Sequence, residues 1–273
     1  MVIEVASPAK LNLFLAVGPR DSSGYHPIRT EFQAIGLMDE VRIDLDATSP
    51  SVEFLDAEIP PNNTVTKSLR LIAEFCNLPP LGIQIRKVIP SEAGLGGGSS
   101  NAAAIIRAVR HLLPEYFSAE DALSVARAVG ADVPFFLVGG RARGEGYGEQ
   151  LTPLPDPEPT YALVLKPEYG HSTADMYRAL DQLEFPFAEF PGKVGYNDFE
   201  RVACETTDLA ERLQMFGANM AAMTGSGSAV YGLFERESEA NEANRQSDAE
   251  NLGQSWVVPF LTRAESLWIR STD

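Results

Sequence analysis

The chain has 273 residues, with 38 acidic and 22 basic side chains and a formal net charge of −16. So acidic a chain lacks the basic footprint of a general nucleic-acid binder or of a protein that docks on anionic lipid, and 44% apolar residues exclude a disordered chain. Its length admits one large domain or two smaller ones, each able to bury a core. Short apolar alternations come first: residues 2–5, 11–15, 32–37, 41–45, 52–55 and 83–85 read as strands of a largely antiparallel or mixed sheet. Between them, residues 63–76 carry Val65, Leu69, Ile72 and Ala73 at helical spacing, and the alanine-rich residues 101–113 stop before Pro114. Ser118 caps a further helix, with Glu120 and Asp121 at the positive end of its dipole, and Gly130 ends it.

Pro153, Pro155, Pro157 and Pro159 then fall within seven residues, a run that neither a helix nor a central strand accommodates. We read it as a boundary between residues 1–155, of net charge −5, and residues 156–273, of net charge −11. The second part opens with a buried strand at 161–165. Helices follow near 174–183 and 198–212, then strands at 221–224 and 229–234 around a glycine turn. Residues 235–250 hold six acidic side chains against two arginines and read as an exposed helix or a solvated loop. Helices between strands without regular βαβ alternation give α+β rather than doubly wound α/β. Cys76 and Cys204 are expected as reduced thiols. No apolar run approaches the roughly 20 residues that span a bilayer. The first ten residues do not read as a signal peptide, so the expected location is the cytoplasm.

The most informative segment runs Pro90-Ser91-Glu92-Ala93-Gly94-Leu95-Gly96-Gly97-Gly98-Ser99-Ser100, between a strand and a helix. Glycine permits positive φ and lets backbone approach closely, so several N–H groups can converge on one anion. A helix starting near Ser99 aims its unpaired N–H groups and positive dipole end at the same place, and the two serines add hydroxyls. No Gly-Lys-Ser/Thr follows, so this is not a Walker A loop, and without a βαβ context it is not a dinucleotide fingerprint.

This loop resembles the second motif of the GHMP small-molecule kinases, named for galactokinase, homoserine, mevalonate and phosphomevalonate kinases. Met223-Thr224-Gly225-Ser226-Gly227-Ser228-Ala229 resembles the third motif. Pro8-Ala9-Lys10-Leu11-Asn12-Leu13-Phe14-Leu15 and Gly24-Tyr25-His26-Pro27 are similar to one branch, the kinases of 4-diphosphocytidyl-2-C-methyl-D-erythritol. Gly130-Ala131-Asp132-Val133-Pro134-Phe135 and Tyr196-Asn197-Asp198-Phe199-Glu200 fit as well, and the motifs occur in the family's order.

The resemblance implies a two-domain fold. Residues 1–155 would form an ATP-binding domain like the second domain of ribosomal protein S5, and residues 156–273 a ferredoxin-like domain. It also implies ATP- and Mg²⁺-dependent phosphorylation of the substrate's 2-hydroxyl. Asp132 would be the base and Lys10 its partner. A nearby ammonium keeps the carboxylate ionised and offsets charge on the transferring phosphoryl. Lys87, Pro90 and residues 94–100 (Gly94, Leu95, Gly96, Gly97, Gly98, Ser99 and Ser100) would hold ATP. Asn12, Tyr25, His26, Thr173 and Tyr177 would hold the cytidine diphosphate substrate, with Tyr25 and Tyr177 as an aromatic sandwich around the base. Metal ligands are unassigned; Glu92, beside the loop, either points to solvent or helps hold Mg²⁺. The expected partners are ATP and this small molecule, with neither nucleic acid nor membrane, and the chain is expected as a monomer or weak homodimer. Plainer roles stand beside these: Lys10 as a strand-boundary lysine reaching water, Asp132 and Asp198 as helix caps, and the Tyr25-His26 turn as surface packing. A homoserine-type kinase and a catalytically inactive nucleotide-binding protein are the alternative readings of the whole.

Overall fold

A computed structural model describes every residue except Ala57, Pro191 and Asp273. Three sheets organise it. The first runs β14 (Ile269–Ser271), β1 (Val2–Val5), β4 (Glu40–Asp44), β6 (Gly82–Arg86) and β5 (Ser51–Phe54). In β4 and β6 buried and exposed residues alternate, because one sheet face is solvated and the other covers a core. That core is packed by α1 (Thr64–Ile72), α2 (Gly97–Leu112) and α3 (Ala119–Val129) through Val65, Ile72, Ile105, Val109 and Val125. The second sheet runs β10 (Tyr196–Asn197), β2 (Pro8–Val17), β3 (Ile28–Met38), β7 (Arg141–Glu145) and β8 (Gln150–Pro153). All ten residues of β2 are buried, including Lys10 and Asn12, so its polar groups must find partners inside the protein.

The third sheet runs β11 (Met220–Met223), β12 (Val230–Phe234), β9 (Tyr161–Lys166) and β13 (Gln254–Pro259), all antiparallel. With α6 (Cys204–Met215) after β9 and α7 (Glu237–Ala249) after β12, the order βαββαβ is that of the ferredoxin-like split βαβ. One face of this sheet packs on α6 and α7 through Leu163, Leu165 and Ala240; the other packs Val164 and Tyr231 against Leu11 and Ile35. The two parts also exchange pieces. From beyond the proline run, β10 pairs with β2 and β14 with β1.

The sequence-based elements survive with shifted ends. Asn63 caps α1 and Ser118 caps α3, each with a full capping box. The helix read over 198–212 is broken at Ala203 into a 3₁₀ turn (Asp198–Val202) and α6. Asp198 and Glu200 are the reason: their carboxylates accept from the Val17 and Met223 backbone N–H groups, which fixes that turn outside the helix axis. Asn197, not Asp198, caps it. The acidic stretch 235–250 is a helix. Strands β7, β8, β13 and β14 escape a search for apolar alternation; β7 reads Arg-Ala-Arg-Gly-Glu. Cys76 and Cys204 are free thiols.

Candidate active site

Lys10 is the centre of the site. β2 carries it inward, and its Nζ donates to Asn12 Oδ1 at 2.5 Å and lies 3.8 Å from Asp132 Oδ2. Burial pushes the Lys10 ammonium below its ordinary value, and the Asp132 charge pulls it part of the way back. Asn12 is locked on every side. Its Nδ2 donates to Thr30 Oγ1 at 2.7 Å, its N–H to Thr224 Oγ1 at 3.0 Å, and its carbonyl accepts from Tyr231 OH at 2.9 Å. Asn12 therefore orients the Lys10 ammonium, and of its amide donors one is taken by Thr30.

Asp132 stands in the turn between α3 and the short α4 (Phe135–Val138). Pro134, without a side-chain cap bond, begins α4, so Asp132 is not its cap. Its carboxylate is 35% accessible against 4% for the Lys10 side chain. One partner is sealed in the strand; the other reaches solvent.

Two glycine-rich loops close over this pair. Gly94 and Gly96 hold φ of +72° and +74°, and a Cβ on Gly94 would collide with the Thr224 carbonyl. The Leu95 carbonyl accepts from the Lys10 N–H at 3.0 Å, while Leu95 itself packs in the core between the sheets. α2 begins at Gly97 with Gly96 as its N-cap, and no side chain occupies its first N–H groups. That leaves the donors of Gly97, Gly98 and Ser99 to bind an anion. Ser99 is half-buried, whereas Ser100 is fully enclosed, with its Oγ 3.2 Å from Ser7 Oγ. Ser100 is thus withdrawn from the loop opening.

Lys87 reaches the same place from β6. Its Nζ lies 3.1 Å from where a Cβ on Gly97 would stand, and it pairs with Asp39. Asp39 also accepts from Val88 N–H, Ile89 N–H and Asn101 Nδ2, at 2.7, 2.9 and 2.7 Å. This fully enclosed carboxylate ties the strand leading to Pro90 to the first turns of α2. Sequence reasoning passed over it as a spacer between two strands; the only signal was an acidic residue between apolar runs. Pro90 is half-buried at the loop's entry. Glu92, at φ +53°, turns towards Gly170, and its charge acts on Lys166. Among the described residues no three His, Cys, Asp or Glu gather to hold a metal.

The aromatic side differs from the expected sandwich. Tyr177, on α5 (Thr173–Leu180), stacks on His26 with ring centroids 5.0 Å apart, not on Tyr25. Tyr25 is 68% exposed and faces Tyr147 at 5.7 Å. One nitrogen of the His26 ring is hydrogen-bonded; the other is buried beside a carboxylate but, among the described residues, without a hydrogen bond of its own. Its Nδ1 sits 2.9 Å from the Gly18 carbonyl oxygen and its Nε2 3.2 Å from Asp181 Oδ1. Gly24 turns the chain at φ +83°, Tyr25 beside it is exposed, and the next ring, His26, is stacked on Tyr177 of α5. Burial first, and the Asp132 charge second, push the Tyr177 hydroxyl up to about 12, which sets this ring in the field of the same carboxylate. Thr173 Oγ1 meets Ser226 Oγ at 2.8 Å, joining α5 to the third-motif loop. A cavity of about 260 Å³ lies beside His26, lined also by Gly18, Arg20, Leu180 and Phe185.

Known proteins place this arrangement. The GHMP kinases N terminal domain matches residues 63–140, and the GHMP kinases C terminal domain matches residues 198–250. A 4-diphosphocytidyl-2-C-methyl-D-erythritol kinase of Desulfitobacterium hafniense (strain Y51) is 32% identical, covering 88% of this chain and 90% of its own length. One of Polaromonas naphthalenivorans (strain CJ2) is 36% identical, covering 84% of each. A crystal structure of 4-(cytidine 5'-diphospho)-2C-methyl-D-erythritol kinase superposes with a TM-score of 0.80 at 33% identity, over 94% of this chain and 98% of that one.

Proposed function

The chain belongs to the GHMP kinases, in their 4-diphosphocytidyl-2-C-methyl-D-erythritol kinase family, and on that premise we propose that it transfers the γ-phosphoryl group of ATP to the 2-hydroxyl of that substrate, a step in isoprenoid-precursor synthesis. The observation that carries this reading is the Lys10–Asp132 pair, 3.8 Å apart, under the two glycine-rich loops. Asp132 accepts the proton of the attacking hydroxyl. The oxygen bonds to the γ-phosphorus as the bridge to the β-phosphate breaks, and ADP leaves. The Lys10 ammonium, fixed by Asn12, keeps Asp132 ionised and stabilises charge on the transferring group. The N–H groups at the start of α2 and the Lys87 ammonium hold the phosphates. Asp132 and the Ser99 hydroxyl are the side-chain oxygens that would help hold a Mg²⁺ brought with the nucleotide, which would supply charge neutralisation on the phosphates.

His26, Tyr177 and the exposed Tyr25 form the candidate wall for the cytosine base, and Thr173 marks its boundary with the third-motif loop. We divide the chain functionally at residue 155 into an ATP-binding part and a ferredoxin-like part, and place it in the cytoplasm as a monomer or weak homodimer. No helix among the described residues is long and apolar enough to cross a membrane. The test is turnover of the purified chain with ATP, Mg²⁺ and each of three alcohols: the cytidine diphosphate substrate, homoserine and mevalonate. Phosphorylation of the first is expected. Activity on homoserine alone overturns the branch, and ATP binding without turnover of any alcohol overturns the kinase reading.

A further inference from the structure

The three helices that present the loop and Asp132 meet again at their other ends, around a cavity of about 650 Å³. α2 starts at the glycine loop, and its late residues Arg107, Arg110 and His111 line this cavity. α3 ends two residues short of Asp132's neighbour Ala131, and its first turn lines the cavity through Ala119 and Leu123. Leu137 of α4, with Leu267 and Ile269 from the returning C-terminal segment, completes the wall. Arg107 lies ten residues along α2 from Gly97, about 15 Å at 1.5 Å per residue, so this is not the phosphate cradle.

Its electrostatics run against the rest of the molecule. In a chain of net charge −16 the lining holds three basic side chains and, among the described residues, no acidic one. Several arginines elsewhere are matched: Arg42 and Arg270 with Glu4, Arg141 with Glu31, Arg201 with Asp198. Arg107, Arg110 and His111 make no ion pair among the described residues. Arg107 donates from Nη2 to the Ala6 carbonyl, but its Nε and Nη1 are buried and without a partner. Burial lowers its pKa to about 10, which leaves it charged at neutral pH. A buried guanidinium with no counter-ion is costly, and a cavity beside it focuses its field. Complementing the negative end of α2 explains Arg110 and His111 but not Arg107, one turn further in. The remaining lining is apolar: Ile106, Leu123, Leu137, Leu267 and Ile269.

We propose that this cavity is a second ligand site, for an amphiphilic anion: an oxyanion head, phosphate or carboxylate, on a short hydrocarbon. The head sits against Arg107 and Arg110; the chain lies along Ile106, Leu123 and Leu137. The test is calorimetric titration of the full chain with n-butyl phosphate, n-butyrate and inorganic phosphate, with saturating ADP present to fill the glycine loop. One butyl phosphate or butyrate per chain is expected, whichever binds tighter naming the head group, with inorganic phosphate at least tenfold weaker for want of apolar contact. In the Arg110→Gln/His111→Asn double variant, both positions being exposed, binding should fall about tenfold, the equivalent of ~1.4 kcal/mol. No binding at millimolar concentrations, binding seen only in a parallel titration without ADP, or equal affinity in the double variant overturns the proposal.

Discussion

The phosphate end of the site and its base end are built from different materials. At the phosphate end the working parts are backbone: N–H groups at the start of α2, the Leu95 carbonyl on Lys10, and Gly94 packed on the Thr224 carbonyl. At the base end they are side chains from separate segments: His26 from the turn before β3, Tyr177 from α5, Tyr25 and Tyr147 from two loops. A backbone site is written in glycine spacing, which has few other meanings. A side-chain site depends on which rings meet, and residue types alone do not state that.

Changes at the two ends should therefore fail in different ways. The largest effect is expected between them, at the carboxylate. Asp132→Asn should lower kcat by about 10²–10⁴-fold, the range for removing a general base, while substrate KM stays within a few-fold. Steady-state kinetics check it, and full activity would remove Asp132 as the base. Lys10→Met should cut kcat by about 10²-fold or more, as for loss of a transition-state charge partner, without lowering thermal stability. The ammonium's folded pKa lies below its ordinary 10.5, so its burial opposes folding. That opposition is fully present below the folded pKa and fades as pH rises towards 10.5. Methionine removes it, and Asp132 left behind still reaches water. The stability gained by Lys10→Met should thus shrink as the pH is raised through that window; a large loss of melting temperature in this variant would make Lys10 structural. Gly94→Ala probes the backbone directly. Positive φ and collision with the Thr224 carbonyl should cost about 1–3 kcal/mol of unfolding free energy, the range for overpacking, together with a raised KM for ATP. Urea denaturation with ATP kinetics measures both.

The same contrast explains what the sequence made legible. The α+β class, most strand and helix positions and the glycine loop were readable because apolar period, caps and glycine spacing are local signals; Lys10 and Asp132, 122 positions apart, were named only through the motif resemblance. Asp39 was not: its role comes from Lys87, Val88, Ile89 and Asn101 converging on it, contacts up to 62 positions apart. Ser100 looked like a phosphate ligand from its neighbours, but helix phase turns it towards Ser7. β7 was missed because its arginines and glutamate mask the period, although Arg141 is held by Glu31 across the sheet. The returning C-terminal strand carries no local sign that its partner is β1, more than 260 residues away.

The smallest effects are expected at the base end, and they separate its two rings. His26 is enclosed, stacked on Tyr177 and held at Nδ1 by the Gly18 carbonyl, so His26→Ala should lower stability as well as substrate affinity. Tyr25 is 68% exposed, so Tyr25→Ala should leave the melting temperature unchanged. Its effect should fall on substrate KM alone, about tenfold if its ring stacks on the base, since one such stack contributes about 1–3 kcal/mol. KM for ATP is the internal control, because the glycine loop is untouched. An unchanged substrate KM would remove Tyr25 from the base site. The base would then belong on the other side of His26, in the cavity of about 260 Å³ that reaches Phe185, and the aromatic surface formed by Tyr25 and Tyr147 would be packing of a surface turn.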